Sequence, residues 1–251
     1  MDPNAAAAAA RLKEMHGGDG PLVLPTVWDV WSARTAVRAG FGGLTIGSHP
    51  LAAALGAEDG EDLTLEEVFA AVTPIIAAVD VPVSVDLESG YGHGPEDLVA
   101  GLVAAGAAGL NIEDTVHSEG GRLRAPEEHA AYVAGLRAAA DAASVPLVIN
   151  GRTDVFKGAD DPASLREEGI ARLLLLVEAG ADCVYPVKIQ ADDDLVRDVV
   201  TAMPVPVNIT AHPVDHSLAH LASLGVGRVT FGPLLQAALT DYSLEIAGRW
   251  R

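Results

Sequence analysis

Two carboxylates spaced two apart, Asp86 and Glu88, close the run Val81-Pro-Val-Ser-Val and precede a glycine-rich turn, Ser89-Gly-Tyr-Gly-His-Gly94. In an extended chain alternate side chains share a face, so both acids point to one place while Leu87 turns away into packing. Such a pair is half of an oxygen site for a hard cation, although one isolated pair can equally solvate a strand end. Glu113, at the end of the next apolar run, adds a third oxygen ligand. All-oxygen ligation favours Mg2+ or Mn2+ over zinc, even with His93, His117 and His212 on neighbouring loops. Arg152 lies in Ile149-Asn-Gly-Arg-Thr-Asp154. A guanidinium beside an apolar strand needs an anion, either a bound carboxylate or phosphate gripped by its fork of donors, or an ion pair with Glu113 or Asp154.

These residues need elements that bring them together. From about residue 20 the chain alternates short β-branched runs with longer helical patterns, the signature of repeated βα units. Strands are expected at 22–27, 43–46, 81–86, 109–112, 147–150, 183–186, 205–209 and 228–231. Helices are expected near 31–39, 65–79, 95–106, 126–143, 162–180, 191–203, 214–224 and 233–249. Proline with acids at 95–97 and 126–128 marks first helical turns, and Gly40, Gly106, Gly180 and Gly225 mark helix ends. These units predict an α/β fold, a (β/α)8 TIM-type barrel formed as a single domain over 1–251, with 1–20 as an N-terminal helical extension. An open doubly wound sheet is the alternative, but no Gly-x-Gly-x-x-Gly follows the first strand. Chemistry in a barrel sits at the C-terminal strand ends. The residues expected there are Trp28, Asp29, Gly47, Ser48, His49, Asp86, Glu88, Glu113, Asp114, Arg152, Asp154, Lys188, Asn208, Thr210 and His212.

Composition narrows the partners. A formal charge of −19 with no basic run argues against nucleic acid and anionic membrane. An anionic substrate must therefore be attracted locally, by a metal or an arginine. The lone cysteine, Cys183, lies in an expected strand, where it reads as a buried thiol; it leaves no internal disulfide framework and fits a reducing cytoplasm. The N-terminus lacks the cationic start of a signal peptide, and no stretch approaches the roughly 18 apolar residues of a membrane span.

Taken in order, several segments resemble the isocitrate lyase and phosphoenolpyruvate mutase superfamily over about residues 22–235. They are Trp28-Asp29 with Ser32-Ala-Arg34, Gly47-Ser48 followed by Leu55-Gly-Ala-Glu-Asp59, Val85-Asp-Leu-Glu-Ser-Gly-Tyr-Gly92, Asn111-Ile-Glu-Asp114 and Gly151-Arg-Thr-Asp154. The resemblance implies a Mg2+-dependent barrel that binds a small anionic 2-oxo acid or its enolate and makes or breaks a C–C or P–C bond. It implies that Asp86 binds the metal directly and that Glu88 and Glu113 hold it mainly through water. Asp59 would contact the metal's water shell or the substrate. Arg152 would grip the substrate carboxylate, and Gly47 and Ser48 would hold its oxygens, with Trp28, Asp29 and Asn208 completing the binding rim. It also implies a homo-oligomer, dimer or tetramer, in which the terminal helix packs on a neighbouring subunit.

The chain departs from that pattern in the loop 115–124, Thr-Val-His-Ser-Glu-Gly-Gly-Arg-Leu-Arg, which has neither the lyases' cysteine nor the mutases' lysine and Asn-Ser. Glu88 stands where a second aspartate is usual, and Gly47 where a serine is. His117 is the loop's residue with the pKa for proton transfer, and the glycines around it suit a lid. The expected function is a Mg2+-dependent C–C lyase on a small 2-hydroxy or 2-oxo (di)carboxylate. The alternatives are a P–C mutase or an oxaloacetate- or phosphonopyruvate-type hydrolase, and, in another class, a barrel that binds ligand without turnover.

Overall fold

The computed structural model describes residues 3–251. Its elements run α1 Pro3–Met15, β1 Leu22–Leu24, β2 Thr26–Val27, α2 Val30–Arg38, β3 Leu44–Ile46, α3 Ser48–Leu55, α4 Leu65–Ala77, β4 Val83–Asp86, α5 Pro95–Ala105, β5 Gly109–Ile112, β6 Thr115–Val116, β7 Arg122–Leu123, α6 Pro126–Ala142, β8 Val148–Thr153, α7 Arg166–Glu178, β9 Cys183–Pro186, α8 Asp193–Ala202, β10 Asn208–Thr210, α9 Leu218–Ser223, β11 Arg228–Thr230 and α10 Leu234–Gly248.

The strands form two parallel ladders, β2-β3-β4-β5-β8-β9 and β1-β11-β10. Pro25 has no N–H to give a ladder. It splits the first strand, so that β1 pairs with β11 and β2 pairs with β3. At the other seam Val184 bridges Val207 in parallel, joining β9 to the chain entering β10. The ladders thus meet at both seams as an eight-stranded (β/α)8 barrel, the expected class.

Alternation assigns the two faces of each strand. Val83 and Val85 are buried toward the helices, packed in one cluster with Val68, Val72 and Leu98. Each such side chain stabilises the fold by about 1.5–3 kcal/mol. Ser84 and Asp86 take the other face. In register beside Asp86 stand Asn111, then Asn150, then Cys183. One level of the barrel interior is therefore polar.

Helix starts follow local chemistry. Thr64 and Glu67 close a capping box on α4, and Pro95 and Pro126 open α5 and α6. Several boundaries differ from expectation. Helix α3 was not anticipated, because Ser48-His-Pro reads as a loop until Pro50 falls in a first turn. The loop 115–124 is a pinned hairpin, with β6 antiparallel to β7 around a 3-10 turn at His117–Glu119. Residues 162–165 form a 3-10 turn before α7, and α9 is confined to Leu218–Ser223 because Pro213 and the turn after it precede the helix. Strand β8 extends to Thr153, which places Arg152 inside the strand. No residue of α10 is buried, and Tyr242, Leu244, Ile246 and Trp250 are exposed. Among the described residues no helix is long and apolar enough to cross a membrane.

Candidate active site

At the C-terminal ends of the strands a cavity of about 200 Å3 is lined by Gly47, Ser48, His49, Asp59, Asp86, Arg152, Lys157, Tyr185, Lys188 and Thr210, with Gly232, Pro233 and Leu234 closing one side. This volume suits a small molecule, and Arg152, Lys157 and Lys188 supply the positive charge that the chain lacks overall.

Asp86 ends β4 in this cavity. Its Oδ1 accepts from Asn111 Nδ2 at 2.9 Å and from Glu88 N at 3.2 Å. Its Oδ2 is less committed, with Ser48 Oγ at 3.5 Å and Arg152 Nη1 at 4.0 Å. Burial is the main cause that raises its pKa; Asp59 adds to this, and Arg152 opposes it.

Glu88 and Glu113 stand behind Asp86. Glu88 has a positive φ of 47°, which costs a non-glycine residue about 1–3 kcal/mol and aims the carboxylate inward. Its Oε1 accepts from Tyr91 Oη at 2.7 Å and its Oε2 from Glu61 N at 2.9 Å. Glu113 bonds His117 Nε2 at 2.8 Å and Arg152 Nη1 at 2.5 Å. Burial raises both carboxyls to about 7; neighbouring acids add to this, and Tyr91 at one and Arg152 at the other oppose it.

Arg152 uses the rest of its fork on Asp154, with Nε to Oδ1 at 2.6 Å and Nη2 to Oδ2 at 2.9 Å. Both readings of this arginine therefore meet in one side chain: it is ion-paired, and it lines the cavity. Asp114 turns away to Thr153 Oγ1 and the Asp154 N–H, which makes it a brace of β8.

The loop bearing Asp59 is tied down from behind. Ser48 Oγ donates to Asp59 Oδ1 at 3.1 Å, and His49 Nδ1 lies 3.5 Å from Oδ2. Two residues on, Glu61 Oε1 accepts from Ser89 N, Ser89 Oγ and Tyr91 N at 3.1, 2.6 and 2.7 Å. Glu61 thus clamps the Asp59 loop onto the Glu88 turn. Arg124, also unanticipated, donates to the carbonyls of Glu113 and Ser89 from beneath.

Five expected site residues lie elsewhere or act differently. Asp29 does not line the cavity; it caps α2, accepting from Ser32 N at 2.6 Å in a capping box. Trp28 is buried beside that cap and its backbone N–H donates to Ser32 Oγ. His117 lines a separate cleft with Glu61, Tyr91 and His93, and touches the cavity only through Glu113 and Glu88, which raise its pKa through hydrogen bond and charge. Gly47 does line the cavity, but its N–H donates to Val27 O at 3.3 Å, so it does not offer that donor to a ligand. A Cβ at Gly47 would lie 2.6 Å from Thr26 Cγ2, so a larger residue there would force Thr26 to shift. Asn208 lies deeper, in the barrel interior, where its Oδ1 accepts from Thr230 Oγ1 at 3.4 Å.

Among the described residues no three His, Cys, Asp or Glu side chains gather as direct ligands. One carboxylate, Asp86, presents a lightly bonded oxygen to the cavity, with Asp59 beside it and Glu88 and Glu113 one layer back. That fits an ion such as Mg2+, which keeps several waters and takes one or two protein carboxylates.

Fold and site together define an enzyme of the lyase and mutase class built on a parallel barrel. The phosphoenolpyruvate phosphomutase family model matches residues 12–249, and the chain belongs to that family, within the phosphoenolpyruvate mutase and isocitrate lyase superfamily. Members of the superfamily generally depend on a divalent metal. The chain is 30% identical over 228 residues to an uncharacterised protein of Mycobacterium tuberculosis, covering 90% of this chain and 83% of that one. It is 32% identical over 223 residues to 2-methylisocitrate lyase of Escherichia coli, covering 83% and 70%. The crystal structure of a putative phosphonomutase from Burkholderia cenocepacia superposes with a TM-score of 0.86 at 39% identity, covering 94% of this chain and 98% of that one.

Proposed function

We propose that the protein is a Mg2+-dependent C–C bond lyase that cleaves a small 2-hydroxy or 2-oxo (di)carboxylate through an enolate, with Mn2+ able to replace Mg2+. The observation that carries this reading is the placement of Asp86, whose Oδ2 faces a small cation-lined cavity between Ser48 and Arg152. Asp86 would hold the ion directly, and Glu88 and Glu113 would hold its waters. The ion would polarise the substrate carbonyl and offset negative charge on the enolate oxygen.

The chain's own residues do the rest. Arg152 is held rigid by Asp154 and Glu113 and binds a substrate carboxylate through charge. Lys157 and Lys188 attract the anion, and the Ser48 hydroxyl orients it. In the cleavage direction the substrate hydroxyl gives its proton to Asp59, the cavity-lining carboxylate that would not hold the ion directly, as the C–C bond breaks and its electron pair passes to the enolate fragment. His117 is assigned a positioning role on Glu113 and Glu88 in place of proton transfer. The second reading, P–C bond chemistry with Asp59 in direct contact with the transferred group, draws on the same placement of Asp59 and on the phosphonomutase likeness.

A single barrel over the chain, a cytoplasmic location, and a homo-oligomer in which the exposed apolar residues of α10 pack on another copy belong to the same proposal. Calorimetry with oxalate, an enolate mimic, tests it: tight binding is expected with Mg2+ and none without it. Magnesium-independent binding would contradict it. Screening 2-methylisocitrate, oxaloacetate and phosphonopyruvate for release of pyruvate, oxalate or phosphate then separates lyase from hydrolase and mutase.

A further inference from the structure

Lys188 follows β9 on the rim of the cavity, in a backbone conformation that lysine rarely takes. Its φ is 73°, in the left-handed region that suits glycine and strains a residue with a Cβ. Three other non-glycine residues with positive φ, Glu61, Glu88 and Tyr91, belong to the acid cluster of the site. The neighbours hold Lys188 in place. Val187 N donates to Thr153 O at 3.2 Å, and Asp192 N closes the following turn onto Ile189 O at 3.1 Å. Val187 and Ile189 are buried on either side, while Lys188 is exposed and lines the cavity.

This side chain has no partner. Three acids follow closely in the chain, and each is turned elsewhere. Asp192 Oδ1 accepts from the N–H groups of Asp194 and Leu195 at 3.0 Å each, Asp193 bonds His220 Nε2 at 3.0 Å, and Asp194 pairs with Arg197 Nη1 at 2.7 Å. Among the described residues no carboxylate oxygen lies within 4.0 Å of the Lys188 ammonium. The other two cations of the cavity are engaged, Arg152 by Glu113 and Asp154, and Lys157 by Asp154 at 3.5 Å. A strained, unpaired lysine gives the fold nothing that glycine would not, so the fold alone does not account for it.

Asp86 also borders the space deeper in the barrel, so it marks the inner end of the cavity, whereas Lys188 and Gln190 stand on the loop after β9. We propose that Lys188 is a specificity-determining residue that binds a second, outer carboxylate of the substrate. This rests on the reading that Asp86 and Arg152 hold the reacting 2-hydroxy or 2-oxo end, and it narrows that reading to dicarboxylates. One ammonium is a compact point charge that balances one carboxylate. A phosphoryl-type group carries about −1.5 to −2, and with Lys157 already against Asp154 its second charge would have no partner at this rim.

Calorimetry on the full chain with Mg2+ and three probes tests the inference: oxalate, lactate and malate, the last two being 2-hydroxy acids without and with an outer carboxylate. The wild type is expected to prefer malate over lactate by at least about 10-fold. Lys188→Met should weaken malate by about 10–100-fold, as loss of a charged contact brings, and oxalate by less than about 3-fold, because a charge beside solvent is screened over roughly 8–10 Å. Lys188→Arg should keep part of the preference. Lys188→Gly should lose it with a Tm at or above wild type, since glycine suits this φ. No malate preference in the wild type, a preference that survives in Lys188→Met, or equal losses for oxalate and malate would overturn the proposal. Wild-type protein that shows the malate preference but no Mg2+-dependent oxalate binding would instead overturn the metal–enolate reading and leave Lys188 in its role.

Discussion

The two walls of the acid cluster differ in what their carboxylates touch. On the outer wall, each oxygen of Glu88 and Glu113 already has a partner at 2.9 Å or less, from Tyr91, Glu61, His117 or Arg152. On the cavity wall, Asp86 Oδ2 has only Ser48 at 3.5 Å and Arg152 at 4.0 Å. Equal charges thus take unequal roles. A carboxylate with both oxygens closely partnered suits scaffold and field, and one with an open oxygen suits a ligand. His117 falls on the outer wall, which explains why a histidine with a suitable pKa need not be the proton carrier.

The largest effect should come from crossing the cavity wall. Asp86→Asn is expected to lower metal-dependent turnover by at least about 10³-fold with the fold retained, since the open oxygen is lost. Circular dichroism with steady-state kinetics checks this, and retained activity would place the ion elsewhere. Next comes Arg152→Met, which should raise KM by about 10²-fold and also lower Tm, because Glu113 and Asp154 lose a buried partner. A rise in KM with unchanged Tm would mean that the ion pairs are not structural.

On the outer wall the effects shrink. Glu61→Gln weakens the clamp on Ser89 and Tyr91 and should reduce metal affinity by about 10–100-fold, with a smaller loss in turnover at saturating metal. His117→Asn should change turnover by less than about 10-fold, within what loss of a neighbour to ligand-orienting acids brings. A larger drop in turnover at saturating metal, with the acid limb of the pH profile removed, would restore it as a proton carrier. The acids also set a pH dependence. Glu88 and Glu113 are raised from 4.5 to about 7 in the fold. Groups so shifted add stability below their unfolded value and lose it as pH rises through the folded one. Without divalent ion, Tm should therefore fall as pH rises from about 4.5 to about 7, and Mg2+ should reverse more of that fall at the alkaline end. A metal-free Tm that rises over this window would contradict the raised carboxyls.

The same contrast separates what is legible in the sequence from what is not. The strands and their terminal acids were legible because a period of two and β-branched runs are local signals. Asp29 was misplaced because a helix cap and a rim acid look alike on one side of a strand; the discriminating sign, Ser32 three residues on, was present in the sequence. Helix α3 was hidden by its opening Ser48-His-Pro. Glu61 and Arg124 carry no local mark at all. Their partners, Ser89, Tyr91 and Glu113, are met only when separate loops close over the barrel.

Asp86, and not the paired acids behind it, is proposed as the cation's direct protein ligand. Calorimetric titration of Mg2+ in the presence of oxalate, run side by side on Asp86→Asn and Glu88→Gln, tests it most directly. No detectable Mg2+-dependent binding is expected for the aspartate variant, and affinity weakened by about 10–100-fold for the glutamate variant. Equal losses in the two, or wild-type binding by Asp86→Asn, would contradict it.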